Sequence, residues 1–139
     1  MGDHETLVRS SSFGRLRWSL YFGAAFDAAF GLPLVVAPLK LTQAVGVQTS
    51  DAVAYRLLGV LLLMIAACYA LAGRDPERYV GNLWVAIGGR LLGGVVLLVS
   101  FYVAAGVSGQ TPMIIAAVGV FDLSLAGLHL WLGRDSLFR

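Results

Sequence analysis

The sequence has little charge and almost no cysteine. Of 139 residues, 13% are Asp, Glu, Lys or Arg, and one is a cysteine, Cys68. Soluble domains carry about 25% of these charged residues, so the composition already points away from a soluble protein. One cysteine excludes an intrachain disulfide and a zinc site built from several cysteines.

Familiar catalytic motifs are also missing. The sequence has no CxxC pair, no two histidines at metal-ligand spacing, no serine nucleophile elbow, no P-loop and no dinucleotide fingerprint. We therefore expect no catalytic residue, no cofactor and no metal, and a protein that is not an enzyme. The net charge of +2 is small. Since most basic residues flank apolar stretches, nucleic acid is not an expected partner.

Long apolar stretches dominate what is present. Hydrophobic residues make up 58% of the chain, and the mean hydropathy is +0.80. A membrane-spanning helix needs about 20 apolar residues, and four stretches reach that length. The predicted spans are residues 17–39, 52–72, 80–105 and 111–132. The sequence therefore predicts an all-α protein with a four-transmembrane-helix bundle over residues 17–133. We expect residues 1–16 to be a polar segment, flexible or lying at the membrane surface, and residues 134–139 to be a short tail.

Arginine and lysine outside the predicted spans are distributed unevenly. One side carries seven arginines: Arg9, Arg15, Arg17, Arg74, Arg78, Arg134 and Arg139. The loops on the other side, 40–51 and 106–110, carry only Lys40. By the positive-inside rule, both termini are expected in the cytoplasm of a multi-pass protein of a bacterial cytoplasmic membrane. The lipid bilayer is then its first partner.

Each predicted span contains one charged residue in its apolar stretch. These residues are Asp27, Arg56, Arg90 and Asp122. A charge at membrane depth costs several kcal/mol unless it finds a partner or water, so we expect an internal network of acids and bases. At about 1.5 Å of rise per residue, all but Arg56 lie near the middle of the bilayer. Arg56 lies about 6 Å below the outer surface, where its side chain could extend to the headgroups instead.

Small residues flank the central charges on the same helical faces. Asp27 has Gly23 and Gly31 four residues to either side. The small neighbours of the other two are Ala86, Gly93 and Gly94 around Arg90, and Gly119 and Ala126 around Asp122. Small residues let helix backbones approach closely, so these faces are expected to point into the bundle.

Two interpretations of the charged network are open. In the first, Asp–Arg pairs determine which helix faces which. In the second, Asp27 or Asp122 exchanges a proton or contacts a small ligand, with an arginine tuning the acid or binding an anion. His129 lies seven residues after Asp122 on the same face and would extend such a polar path. It is alternatively an interfacial or core-lining residue.

The stretches YRLLGVLLLMIAACYALAGRDPERY and GRLLGGVVLL resemble the arginine-bearing second and third spans of small bacterial four-span membrane proteins of the DoxX-like kind. The resemblance implies an accessory membrane subunit or a redox-associated partner, with no particular substrate, and it carries over no functional residue.

Three functions follow as hypotheses. The first is a non-enzymatic accessory, assembly or interaction subunit that packs against itself, as a homo-oligomer, or against a larger membrane protein. The alternative is a small channel or transporter for protons or anions. A membrane enzyme acting on lipid or quinone, the third, requires a lateral cleft near His129.

Overall fold

The computed structural model describes the backbone of residues 2–47, 50–108 and 113–137, and side chains from residue 14 onward except residues 104–108, 135 and 136. This part of the chain forms five helices. They are α1 (Gly2–Val36), α2 (Pro38–Ala44), α3 (Ala52–Arg74), α4 (Val80–Ser108) and α5 (Met113–Leu137).

Four of these helices contain segments that are long and apolar enough to cross a membrane. The segments are Gly14–Val36, Ala52–Arg74, Val80–Val103 and Met113–Arg134. The expected all-helical, multi-pass architecture with four long apolar helices is thereby confirmed. The side of the membrane on which the termini lie stays a prediction.

The first helix is longer than the first predicted span. It begins at Gly2, so the backbone of the polar N-terminal segment continues into α1 as helix. No proline lies between Gly2 and Leu32, and a change from polar to apolar residues does not by itself end a helix. Two parts of the prediction lie outside the described residues: residues 111–112, which begin the predicted fourth span, and residues 138–139, which end the predicted tail.

A short helix, α2, occupies part of the predicted loop 40–51. Pro38 opens it, at a position where the missing N–H of proline costs no hydrogen bond. Gly46 follows its end with a φ of +79°, a backbone conformation that favours glycine. The Val47 N–H donates to the Thr42 carbonyl at 2.8 Å, which closes the helix end. The chain thus turns back toward α3 in a compact way.

The long helices form a ring in which each packs on the next. Helix α1 lies along α3, α4 lies along α5, and α3·α4 and α1·α5 contacts complete the ring. In the described part of the chain, no Cα atoms of α1 and α4, or of α3 and α5, come within 8 Å, so these pairs are the diagonals. At the arginine-rich end, Arg17 Nε donates to the Gly73 carbonyl at 2.9 Å and joins α1 to the end of α3.

Glycines make the two tightest helix contacts. A Cβ on Gly59 would lie 2.8 Å from the Gly31 carbonyl oxygen, so the α1 and α3 backbones touch there. A Cβ on Gly94 would lie 2.9 Å from the Gly119 carbonyl oxygen, which is the same kind of contact between α4 and α5. Lipid tails are as apolar as side chains, so close packing of this kind is a main source of helix association in a membrane.

Replacing Gly59 by alanine is expected to destabilise the bundle. The added methyl group overlaps the α1 backbone, and overpacking of this kind costs about 1–3 kcal/mol. Gly88→Ala is the matched control, because nothing lies within 4 Å of a Cβ there. Thermal unfolding in detergent should show a midpoint below that of the wild type for Gly59→Ala and an unchanged midpoint for Gly88→Ala. Equal midpoints for the two variants would contradict the close α1–α3 contact.

Candidate functional site

The centre of the bundle contains one arginine between two aspartates. Arg90, on α4, is 3% exposed. Its Nη2 donates to Asp27 Oδ1 on α1 at 2.8 Å, and its Nη1 donates to Asp122 Oδ1 on α5. The guanidinium group therefore joins three helices through charged hydrogen bonds, which are stronger than neutral ones.

The rest of the guanidinium group also finds partners. Its Nε donates to the hydroxyl of Tyr69 on α3 at 2.8 Å, and Nη2 makes a second bond to the Gly23 carbonyl at 3.2 Å. The Arg90 Cζ lies 5.1 Å from the centre of the Tyr69 ring and 5.5 Å from that of Phe26, within the range of cation–π attraction. Arg90 thus contacts all three of the other long helices.

Phenylalanines form the α1–α5 side of the site. Each of the two acids follows a phenylalanine directly in the sequence, Phe26 before Asp27 and Phe121 before Asp122. The rings of Phe26 and Phe121 lie 4.5 Å apart, measured between centroids. Phe26 therefore contacts both the Arg90 cation and the aromatic ring of the neighbouring helix. Helices α1 and α5 meet at these two rings beside the charges.

Tyr69 links Arg90 to His129. Both Tyr69 and His129 are completely buried. The Tyr69 hydroxyl lies 3.3 Å from His129 Nδ1 and 3.3 Å from the Ala86 carbonyl oxygen. The hydroxyl accepts from Arg90 and has one proton to donate: it donates to a bare His129 Nδ1, or it donates to the Ala86 carbonyl and accepts from a protonated Nδ1. A continuous hydrogen-bonded chain results, from His129 through Tyr69 and Arg90 to the acids.

This chain extends from the middle of the apolar segments toward the arginine-rich end. Arg90 lies ten residues from the start of its segment at Val80, or about 15 Å along the helix. Tyr69 and His129 each lie five residues from the end of theirs, at Arg74 and Arg134, or about 7.5 Å. Between these depths the polar groups form a path of about 7.5 Å, roughly a quarter of an apolar thickness of about 30 Å.

The structure brings together three of the four charged residues that the sequence indicated, and His129 joins them through Tyr69. Arg56 is exposed and makes no ion pair with either buried aspartate. It lies outside the buried face of α3, which consists of Gly59, Ala66, Tyr69, Ala72 and Gly73. Arg56 therefore does not belong to the network, because its position near the end of the helix lets its side chain extend away from the bundle.

Sequence reasoning missed Tyr69, which is as central as the charges. The signal was present, because Ala66, Ala72 and Gly73 lie three and four residues from it on the same face. The same pattern of small neighbours marked the three central charges. A tyrosine inside an apolar stretch needs a hydrogen-bond partner, and this position supplies one on α4 and one on α5.

The two aspartates differ in their surroundings. The Asp27 side chain is 6% exposed and that of Asp122 is 16% exposed. Asp27 Oδ2 is buried and has no hydrogen-bond partner among the described residues. His129 Nε2 is buried without one in the same part of the chain, with the Ser19 backbone as a further polar neighbour. The described residues contain no group of three or more His, Cys, Asp or Glu side chains that could hold a metal ion.

Comparison with protein-family models, curated proteins and solved structures gave no match to this chain. The resemblance to DoxX-like proteins therefore stays a prediction from the sequence. The function has to be argued from the geometry of the site.

Replacing Arg90 by methionine is expected to destabilise the protein strongly. The change leaves the buried Asp27 and the partly buried Asp122 without their cation, and breaking a buried ion pair costs about 3–5 kcal/mol. Arg56→Met is the matched control, because it removes the same side chain from an exposed position of a neighbouring helix. Thermal unfolding in detergent should separate the two variants clearly. If the unfolding midpoint fell as far in Arg56→Met as in Arg90→Met, the central network would not be what stabilises the bundle.

Proposed function

We propose that this chain is a small integral membrane protein without catalytic activity of its own, acting as an accessory, assembly or interaction subunit. In this proposal the buried Asp–Arg network specifies how the helices pack. The observation that carries it is the set of bonds from Arg90 to α1, α3 and α5. All three nitrogens of its guanidinium group are used within the chain.

This bonding pattern suits a packing determinant better than a reaction centre. A buried polar group whose partners are satisfied favours one arrangement of helices over its alternatives. A substrate would have to displace an intramolecular bond to reach Arg90. An enzyme acting on lipid at His129 has less support, because the His129 ring is completely buried.

The outer surface of the bundle supports an interaction role within the membrane. The long helices expose large apolar side chains outward along their length, among them Phe22, Leu57, Leu92, Val99 and Val120. This surface suits the lipid bilayer, a second copy of the chain or a larger membrane protein. The arginines at one end support an orientation with both termini in the cytoplasm, and the resemblance to small bacterial membrane proteins of the DoxX-like kind supports a bacterial cytoplasmic membrane.

The native mass of the protein, extracted from its own membrane in a mild detergent, tests this proposal. We expect the chain in a particle larger than one protomer with its detergent. Arg90→Met should reduce the mass of that particle, because the helix faces that the protein presents to a partner depend on the network. Arg56→Met should leave the mass unchanged. Native mass spectrometry measures the particle mass of the wild type and of the two variants. A wild-type protein found only as a single protomer, with no co-purifying chain, would contradict the proposal.

A second candidate function is a conduit or transporter for protons or a small anion. The hydrogen-bonded chain from His129 through Tyr69 to Arg90 and the aspartates favours it. Chains of ionisable groups inside a membrane are the usual elements of proton relays. The described chain of polar groups extends through only about a quarter of the apolar thickness, which is why this function is the alternative.

Proton and anion flux into liposomes separates the two functions. A conduit that uses this chain should lose its flux in Tyr69→Phe, which removes the hydroxyl between Arg90 and His129 but keeps the two Arg90–Asp pairs. Tyr102→Phe is the matched control, because Tyr102 is 81% exposed. Asp27→Asn and Asp122→Asn identify the acid. No flux above that of empty liposomes, with all variants folded, would exclude the conduit and leave the subunit proposal.

A further inference from the structure

The central cluster contains more acid than base. Among the described residues, Asp27 and Asp122 bond to one cation, Arg90, and the hydrogen-bonded cluster continues through Tyr69 to His129. With both acids ionised and His129 neutral, the cluster would carry one uncompensated negative charge deep in the apolar segments. An unpaired charge at that depth costs several kcal/mol, so a further positive charge or a proton is required.

The geometry distinguishes the two acids. Asp27 uses one carboxyl oxygen to accept from Arg90, and its other oxygen, Oδ2, is buried with no donor among the described residues. A buried anionic oxygen without a hydrogen bond is far more costly than a buried neutral one. Asp122 is the more exposed of the two and also accepts from Arg90. Asp122 is therefore the better counter-ion for the arginine.

We propose that Asp27 binds one exchangeable proton on Oδ2 at neutral pH. The cluster then consists of a neutral Asp27, a cationic Arg90 and an anionic Asp122, and it has no net charge. The proton comes from a hydronium ion or a buffer acid, so no other reactant is needed. This inference goes beyond the subunit proposal, since a proton-binding site can exist whether or not protons cross the membrane.

Each of the four long helices contributes a polar side chain to the cluster. Helix α1 contributes Asp27 itself, α3 contributes Tyr69, α4 contributes Arg90, and α5 contributes Asp122 and His129. A proton on both nitrogens of His129 would place a cation in a completely buried ring, where the Ser19 backbone is a polar neighbour but Nε2 makes no hydrogen bond in the described part of the chain. The Tyr69 hydroxyl keeps its own proton while it accepts from Arg90. Lys40 of α2 is exposed and lies in the connection on the opposite side from the arginines.

Infrared spectroscopy of the intact protein in lipid vesicles tests the proposal. Protein labelled with ¹³C at the aspartate side-chain carbonyl should show a protonated carboxylic acid band at neutral pH, which shifts in heavy water. Asp27→Asn should remove the band, and Asp122→Asn should not. Wild-type protein over a pH series makes the same test without any variant, because the band must vanish as the solution becomes alkaline.

The thermal stability of the two variants supplies a second, independent measurement. Asparagine closely resembles a protonated aspartic acid in shape and charge, so Asp27→Asn should leave the unfolding midpoint nearly unchanged. Asp122→Asn removes the counter-ion of Arg90 and should lower the midpoint clearly. If both aspartates formed conventional ion pairs with Arg90, Asp27→Asn would lower the midpoint more than Asp122→Asn, because neutralising the more buried acid would then cost more stability.

Three outcomes would overturn the proposal. The first is the absence of any protonated aspartic acid band at neutral pH in the wild-type protein. The second is a band that survives in Asp27→Asn and disappears in Asp122→Asn. The third is a pair of carboxylate bands that shift with sodium concentration at constant pH, which would show that a metal cation and not a proton neutralises the cluster.

Discussion

One arginine side chain, Arg90 of α4, is bonded to each of the other three long helices of this bundle. The backbones of α1 and α4 lie on a diagonal and do not approach each other in the described part of the chain. Arg90 nevertheless bonds to Asp27 and to the Gly23 carbonyl of α1, and also to α3 and α5. A guanidinium group has five N–H donors in a rigid plane, so it can satisfy several helices where a lysine would offer one point charge.

Glycine contacts and the polar network depend on each other. The Gly31–Gly59 and Gly94–Gly119 contacts bring the helices together in pairs, α1 with α3 and α4 with α5. The network joins one pair to the other, since Arg90 and Asp122 of the second pair meet Asp27 and Tyr69 of the first. In a membrane, where burial of apolar surface does little to bring helices together, close packing and hydrogen bonds carry this task.

As proposed, the site combines a packing role with an unbalanced charge. Arg90 is fully engaged within the chain, which favours a subunit that is held rigidly for assembly. The excess acid and the buried Oδ2 of Asp27 add a proton-binding capacity to the same residues. Both properties arise from one arrangement, two acids around one base, because the base that orders the helices neutralises only one of the acids.

The sequence by itself determined the class of this protein and most of its central residues. The four long helices followed from four apolar stretches of membrane-spanning length, since that length is set by the bilayer, whereas the short helix α2 was not predicted. Asp27, Arg90 and Asp122 were recognisable because a charge inside such a stretch needs a partner.

Tertiary structure decided the rest. It placed Arg56 outside the network, included Tyr69, and assigned both acids to one arginine. Helical periodicity states which residues share a face, but the helix that this face meets, and at what depth, is set by packing between segments distant in the sequence.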